Sequence, residues 1–306
     1  AAASANLPAV SVVTGPMMTG SHRGDRLGAC TDCRRYWGMH RAGEIDEVEI
    51  DEVGGKLAPT AGTCMVMGTA STMACMTEAI GMMMPGGAAI PAVAADRLRH
   101  AEAAGARAVA MGKGGPTPQQ IMTPEAFANA FRVLLAIGGS TNGLIHMTAV
   151  AGRLGIQVDL EALDRMGQET PVLVDLKPSG QHYMEDLQKA GGLVTVLREL
   201  RPLLHLDCMT VTGRTLGEEI DAAPPPWDQD VVRPFDNPLY PQGGIAVLRG
   251  NLAPDGAIVK QSAASEHLMD HTGKAVVFED QEDLANRIDD PDLDVGPEDI
   301  LVMKNA

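Results

Sequence analysis

Aromatic side chains are scarce in this chain of 306 residues: 2 Trp, 3 Tyr and 4 Phe, 3% in all. With apolar residues at 45%, a core is still within reach, but it must be assembled from Ala, Val, Leu, Ile and the 18 Met. Basic blocks are missing too. Against 40 acidic residues stand 24 Lys and Arg, for a net charge of −16. That argues against nucleic acid as a partner, because neutralising phosphates takes clustered Lys and Arg. An anionic small substrate needs only a local site and stays open. No apolar run reaches 18 residues, so no membrane span is expected. No signal peptide is visible. Five Cys without a regular framework fit a reducing, cytoplasmic setting. The length is enough for two domains.

What the chain does have is concentrated between Ala58 and Pro91, APTAGTCMVMGTASTMACMTEAIGMMMPGGAAIP, where Glu78 is the one charge. Small residues there let backbones approach each other or a ligand, and Met packs irregular gaps. Cys64 lies in the loop Gly62-Thr63-Cys64. A helix is expected soon after, with Ser71 or Thr72 as N-cap. A thiol near a helix N-terminus is biased toward thiolate, the metal-binding form. A Cys among Met and Ala is also an ordinary inert core residue, and the residues alone do not separate the two.

Taken in order, Leu7–Val13 is Val-rich and uncharged, the pattern of a buried parallel strand. The loop TGPMMTG behind it is either a ligand loop or a plain βα connection. Residues 21–57 are charged and peripheral. Cys30-Thr-Asp-Cys33 is a CxxC, but no second pair or His pair follows at zinc spacing. The acidic run from Glu44 to Glu52 reads as a solvated helix. Residues 92–112 form a helix with Gly105 as its stop, and His100 on the surface. Thr123-Pro124-Glu125 opens a helix to about Ile137. Gly138-Gly139 then leads into Ser140-Thr141-Asn142 and a second helix, with His146 on its core side. These three polar residues either cap the helix or hold a carboxylate or phosphate on its N–H groups. Pro171–Leu176 reads as a strand, and His182-Tyr-Met-Glu-Asp186 enters a helix, its His, Glu and Asp either lining a polar site or capping.

Composition changes at Ala222. The spacing predicts a layered α/β domain over 1–222, a Pro-rich linker over 223–238, and an incomplete, mostly β, barrel-like domain over 239–306. Its strands are expected at Ile245–Leu248, Ala257–Lys260, Ala275–Phe278 and Ile300–Met303, with a short helix Gln281–Ile288. Ala1 is not Met, and the chain stops straight after a strand, so both ends are expected to be cut.

The segment GTCMVMGTASTMACMTEAIGMMMPG resembles the core signature of the IlvD/Edd dehydratases, the dihydroxy-acid and sugar-acid dehydratases. The likeness continues through AAASANLPAVSVVTGPMMTG, RAGEID, GGSTNGLIHMTAVA, HYMEDLQKAGG, DCMTVTGRTL and NPLYPQGGIAVLRGNLAPDGAIVK, all in the family's order. The resemblance implies a hydro-lyase that takes water from a 2,3-dihydroxy or aldonic acid to give a 2-keto acid. It implies a [2Fe–2S] or [4Fe–4S] cluster, Mg2+, and a homodimer or homotetramer. Cys64 matches the third cluster cysteine. The first two cysteines, the magnesium ligands and the catalytic serine match no residue here, and Cys30, Cys33, Cys75 and Cys208 fall off the ligand positions. No catalytic residue is therefore expected within the chain. Ser140, Thr141, Asn142 and His182 are expected on the substrate side. Two other classes stay open: a thiol enzyme with Cys64 as nucleophile, which needs His146 or His182 within hydrogen-bond reach, and a non-catalytic remnant.

Overall fold

A computed structural model describes residues 1–305. Helix takes up 42% of the chain and strand 10%, so helices build the core and short strand pairs decorate it. In order the elements are α1 (Ala2–Ala5), β1 (Gly20–His22), β2 (Asp25–Leu27), α2 (Thr31–Arg41), α3 (Glu47–Lys56), α4 (Thr69–Ala79), α5 (Ala95–Met111), α6 (Pro118–Ile121), α7 (Pro124–Ala136), α8 (Asn142–Gly152), α9 (Leu160–Glu169), α10 (Met184–Lys189), α11 (Leu193–Glu199), α12 (Leu216–Ala222), β3 (Ala246–Leu248), β4 (Ala257–Val259), β5 (Ala275–Phe278), α13 (Gln281–Arg287) and β6 (Ile300–Met303). The chain forms two compact units, Ala1–Ala263 and a second that begins at Ala264. No described helix is long and apolar enough to cross a membrane.

In the first unit α4 packs on α7 and α8. α7 begins as its sequence dictates: Thr123 accepts a hydrogen bond from the Ala126 N–H at 3.3 Å, and Pro124 occupies the first turn. Its Val133, Leu134 and Leu135 are fully buried, each such side chain stabilising the fold by about 1.5–3 kcal/mol. Glycines bring α8 onto α4. A Cβ on Gly139 would lie 2.9 Å from Thr72 Cγ2, and one on Gly143 would lie 3.0 Å from it. The core across these helices is Met-rich, with Met67, Met76, Met82, Met111, Met122 and Met147 buried. α2, α3 and the β1–β2 hairpin form a small satellite around Leu27, Tyr36, Ile50 and Val53.

Several expectations are corrected. No layered sheet or closed barrel forms among the described residues; the strands pair only two by two. Leu7–Val13 is nowhere fully buried, with Leu7 at 67% and Val12 at 50% exposed, and pairs only through a single parallel bridge from Ser11 to Met83. Residues 171–176 are buried and extended, yet their partners are isolated bridges to Tyr240, Val232 and His182. The stretch 223–238 is thus fastened to the first unit through buried Val231 and Val232. α5 runs straight through Gly105, because a glycine on an exposed face weakens a helix without ending it. α4 has Gly68 as its N-cap, three residues ahead of Ser71 and four ahead of Thr72, the expected caps. His146 is exposed on α8.

In the second unit β5 and β6 stand where the sequence puts them, but they pair in parallel, with α13 in the connection between them. It is a βαβ arrangement rather than part of a barrel. Phe278 is fully buried, with the Arg287 guanidinium 4.9 Å from its ring centroid.

Candidate functional site

Cys64 sits where two loops clasp. The Thr63 N–H donates to Gly15 O at 2.9 Å, and the Met17 N–H donates to Thr63 O at 2.8 Å, so TGPMMTG cradles the Cys64 loop. Gly62 makes the clasp possible. Its φ is +139°, and a Cβ there would meet Met17 N at 2.4 Å and Pro16 C at 2.6 Å, backbone atoms that cannot step aside. Gly62→Ala is therefore expected to destabilise the first unit by about 2 kcal/mol or more and to lower Tm by several degrees in a melting curve. An unchanged Tm would mean the clasp yields freely.

From the other side Ser71 in α4 donates to Cys64 O at 3.3 Å and to Val66 O at 3.1 Å. Its hydroxyl ties the loop down from within the first turn of the helix, while Gly68 holds the N-cap position. Cys64 is half-buried, and burial pushes its thiol above the ordinary value, against the Val66 N–H that pulls it down. The expected thiolate bias is not met, because Cys64 precedes α4 and lies outside the first turn where the helix dipole acts. Cys75 is inside α4 and fully buried, its thiol raised well beyond the ordinary range. Burial raises Cys208 to about 11.

The same end of α4 gathers the Ser140 segment. The Ser140 N–H donates to Thr72 Oγ1 at 3.0 Å. Ser140 Oγ lies 3.1 Å from Thr69 Oγ1, and Asn142 Nδ2 donates to Thr69 Oγ1 at 3.0 Å. Thr141 is the N-cap position of α8 and makes no side-chain cap bond. One helix start thus joins the Cys64 loop and a cluster of hydroxyl and amide groups at the start of α8. His182 is not part of it. Its imidazole faces Asp175, Asp186 and Asp230 at 3.8–4.0 Å, beside a shallow groove with Trp227.

One network escaped the sequence reading. Tyr183 OH donates to Asp32 Oδ2 at 3.1 Å and receives the Lys177 ammonium at 2.8 Å. The Gly28 N–H donates to Asp32 Oδ2 at 2.7 Å. Burial raises the Tyr183 hydroxyl, with Lys177 pulling the other way. Arg26 stacks 4.6 Å from the Tyr183 ring and pairs with Glu185 and with Asp186. The network fixes the Cys30 turn against the Cys64 loop, and Cys30 Sγ lies 3.8 Å from Cys64 Sγ. Among the described residues this thiol is the hydrogen-bond partner of Cys64 Sγ, and no imidazole takes that place. The thiol-nucleophile reading therefore lacks its base and is set aside.

Among the described residues no three His, Cys, Asp or Glu side chains gather as a metal would need. At Cys64 the chain offers a single soft sulfur donor.

Family comparison decides the class. The Dihydroxy-acid/6-phosphogluconate dehydratase N-terminal model matches residues 1–219, and the corresponding C-terminal model matches 230–306. The chain belongs to this dehydratase family. It is 47% identical over 307 residues to an L-arabinonate dehydratase of Rhizobium leguminosarum bv. trifolii, covering 100% of this chain and 53% of that protein. It is 43% identical over 287 residues to a dihydroxy-acid dehydratase of Acetivibrio thermocellus, covering 93% of this chain and 51% of that one. A 6-deoxy-6-sulfo-D-gluconate dehydratase of Pseudomonas putida is 41% identical over 308 residues, covering 100% of this chain and 53% of its own. The chain thus spans about half the length of these dehydratases.

Proposed function

We propose that the intact protein is a hydro-lyase that converts a 2,3-dihydroxy acid, of the branched-chain or aldonic class, to a 2-keto acid. One observation supports this beyond family membership. A single turn of α4 ties down both the Cys64 loop, through Ser71, and the Ser140 segment, through Thr69 and Thr72. Cys64 would be one thiolate ligand of the iron–sulfur cluster. When bound, cluster and Mg2+ supply Lewis acidity for loss of the 3-hydroxyl and for acidifying the proton on C2. The chain's own groups orient the substrate. Ser140, Thr141 and Asn142 offer side-chain donors and acceptors for its carboxylate and hydroxyls, at the end of α8 where the helix dipole favours an anion. His182, held among three carboxylates, would act at most on the substrate's outer end. The reading includes a homodimer or homotetramer in the cytoplasm.

The test is 2-keto acid formation by the intact, cluster-loaded protein from a panel of branched-chain dihydroxy acids, aldonic acids and phosphogluconate. Turnover of one class, lost on stripping the metal and regained on reconstitution, is expected. No turnover of any member by a protein with a full cluster spectrum would overturn it. The 306 residues alone, reconstituted in the same way, are expected to be inactive, since they supply a single implied cluster ligand.

A further inference from the structure

We infer that Cys30 and Cys64 form a reversible disulfide, a modification site that withholds Cys64 from metal. The sulfurs stand 3.8 Å apart, at van der Waals contact. Closing to a bond of about 2.05 Å takes side-chain rotation, provided the backbones are already close, and three contacts hold them so. The Ala29 N–H donates to Met65 Sδ at 3.1 Å. The Met184 N–H donates to Met65 O at 2.8 Å, which carries Tyr183 against the loop. Gly28 lies so near that a Cβ on it would meet Tyr183 Cε1 at 2.6 Å and Val66 Cγ1 at 3.2 Å. Each cysteine is thus flanked by a residue bound to the other's neighbourhood.

Access fits the chemistry. Cys30 is exposed and Cys64 half-buried, so a small oxidant reaches Cys30 first. With a low-molecular-weight disulfide such as oxidised glutathione, the Cys30 sulfur gives up its proton and attacks one sulfur of the reagent. Its S–S bond breaks, one glutathione thiolate leaves, and a mixed disulfide remains on Cys30. The Cys64 sulfur then attacks the Cys30 sulfur and releases the second glutathione. Two protein thiols become one disulfide as two electrons reduce the reagent to two thiols. The sulfur found beside Cys30 is that of Cys64, 34 positions on, outside the CxxC spacing to Cys33.

The bond itself follows from the geometry, while its consequence for iron rests on Cys64 being a cluster ligand. A sulfur locked in a disulfide does not ligate metal, and it is also kept from the irreversible sulfinic state. The experiment treats the intact protein, stripped of metal under reducing conditions and then freed of reductant, with oxidised glutathione. Peptide mapping without reduction reads the product. A Cys30–Cys64 cross-link, removed by dithiothreitol, retained in Cys33→Ser and absent in Cys30→Ser, is expected. A Cys30–Cys33 cross-link instead, or both thiols still open to alkylation, would overturn the inference. In a second arm, iron loading of the oxidised protein is expected to fall by about tenfold or more, to return on reduction, and to be indifferent to the oxidant in Cys30→Ser once mixed disulfides are cleared by a brief thiol wash. A cross-link with undiminished iron loading would uphold the disulfide and remove Cys64 from the ligand set.

Discussion

Replacing Cys64 by serine in the intact protein is expected to remove the visible absorbance of the cluster and the dehydratase activity together. The loss of activity should exceed about a hundredfold, beyond what removing a supporting partner of a metal ligand costs. Serine keeps the size but offers a hard, protonated oxygen where a soft thiolate is needed. The clasp around the loop uses backbone atoms of Gly15, Met17 and Thr63 and the Ser71 hydroxyl, none of which the substitution touches. The variant should therefore melt within a degree or two of the parent. Cys75→Ala is the control. Cys75 is fully buried in α4, where its raised thiol makes it a small hydrophobe, so that variant should keep both spectrum and activity. A cluster spectrum surviving in Cys64→Ser would remove the ligand assignment.

The second large effect belongs to Glu78, the one charge of the central stretch. It is 5% exposed, and its two oxygens accept the Gly86 and Ala88 N–H groups, each at 2.7 Å. Arg97 holds the same loop from the other side, donating to Gly87 O at 2.8 Å. Burial pushes the Glu78 carboxyl up to about 7, against the pull of those N–H groups and of Arg97. A carboxyl raised above its ordinary 4.5 holds its proton longer in the folded state than in the unfolded one. Its contribution is full below about 4.5 and is lost as pH rises through about 7. Between pH 5 and pH 8 it should cost the parent on the order of 2–3 kcal/mol. Glu78→Gln does not titrate. The stability difference between parent and variant, from denaturant midpoints, should therefore move in the variant's favour by that amount as pH rises. Parallel pH profiles would show that Glu78 stays ionised throughout.

Local signals are legible where they are strong. Thr123-Pro124-Glu125 carries its own cap and places α7. Alternation and turn residues place β3 to β6 within a residue or so. Long-range facts were not legible. Leu7–Val13 and 171–176 are extended, but an apolar run does not say whether a neighbour exists to make a sheet. α8 is apolar nearly all round, so periodicity does not orient His146. The CxxC spacing points to a partner three residues away, whereas the sulfur beside Cys30 belongs to a residue 34 positions on. The Asp32–Lys177–Tyr183 network likewise joins residues some 150 positions apart, and no pattern within one element announces it.

The methionines that replace aromatics in this core have a use of their own. Each carries a terminal methyl that tumbles fast and gives a sharp NMR line, and each sits at a defined depth. Met65 and Met67 flank the Cys64 loop, Met76 lies along α4, and Met147 sits on α8, all buried. Labelled at the methyl, they form a ladder of rulers leading away from Cys64. A paramagnetic centre seated there would erase the lines in order of distance, Met65 and Met67 first, and would report its position with no label attached to the surface.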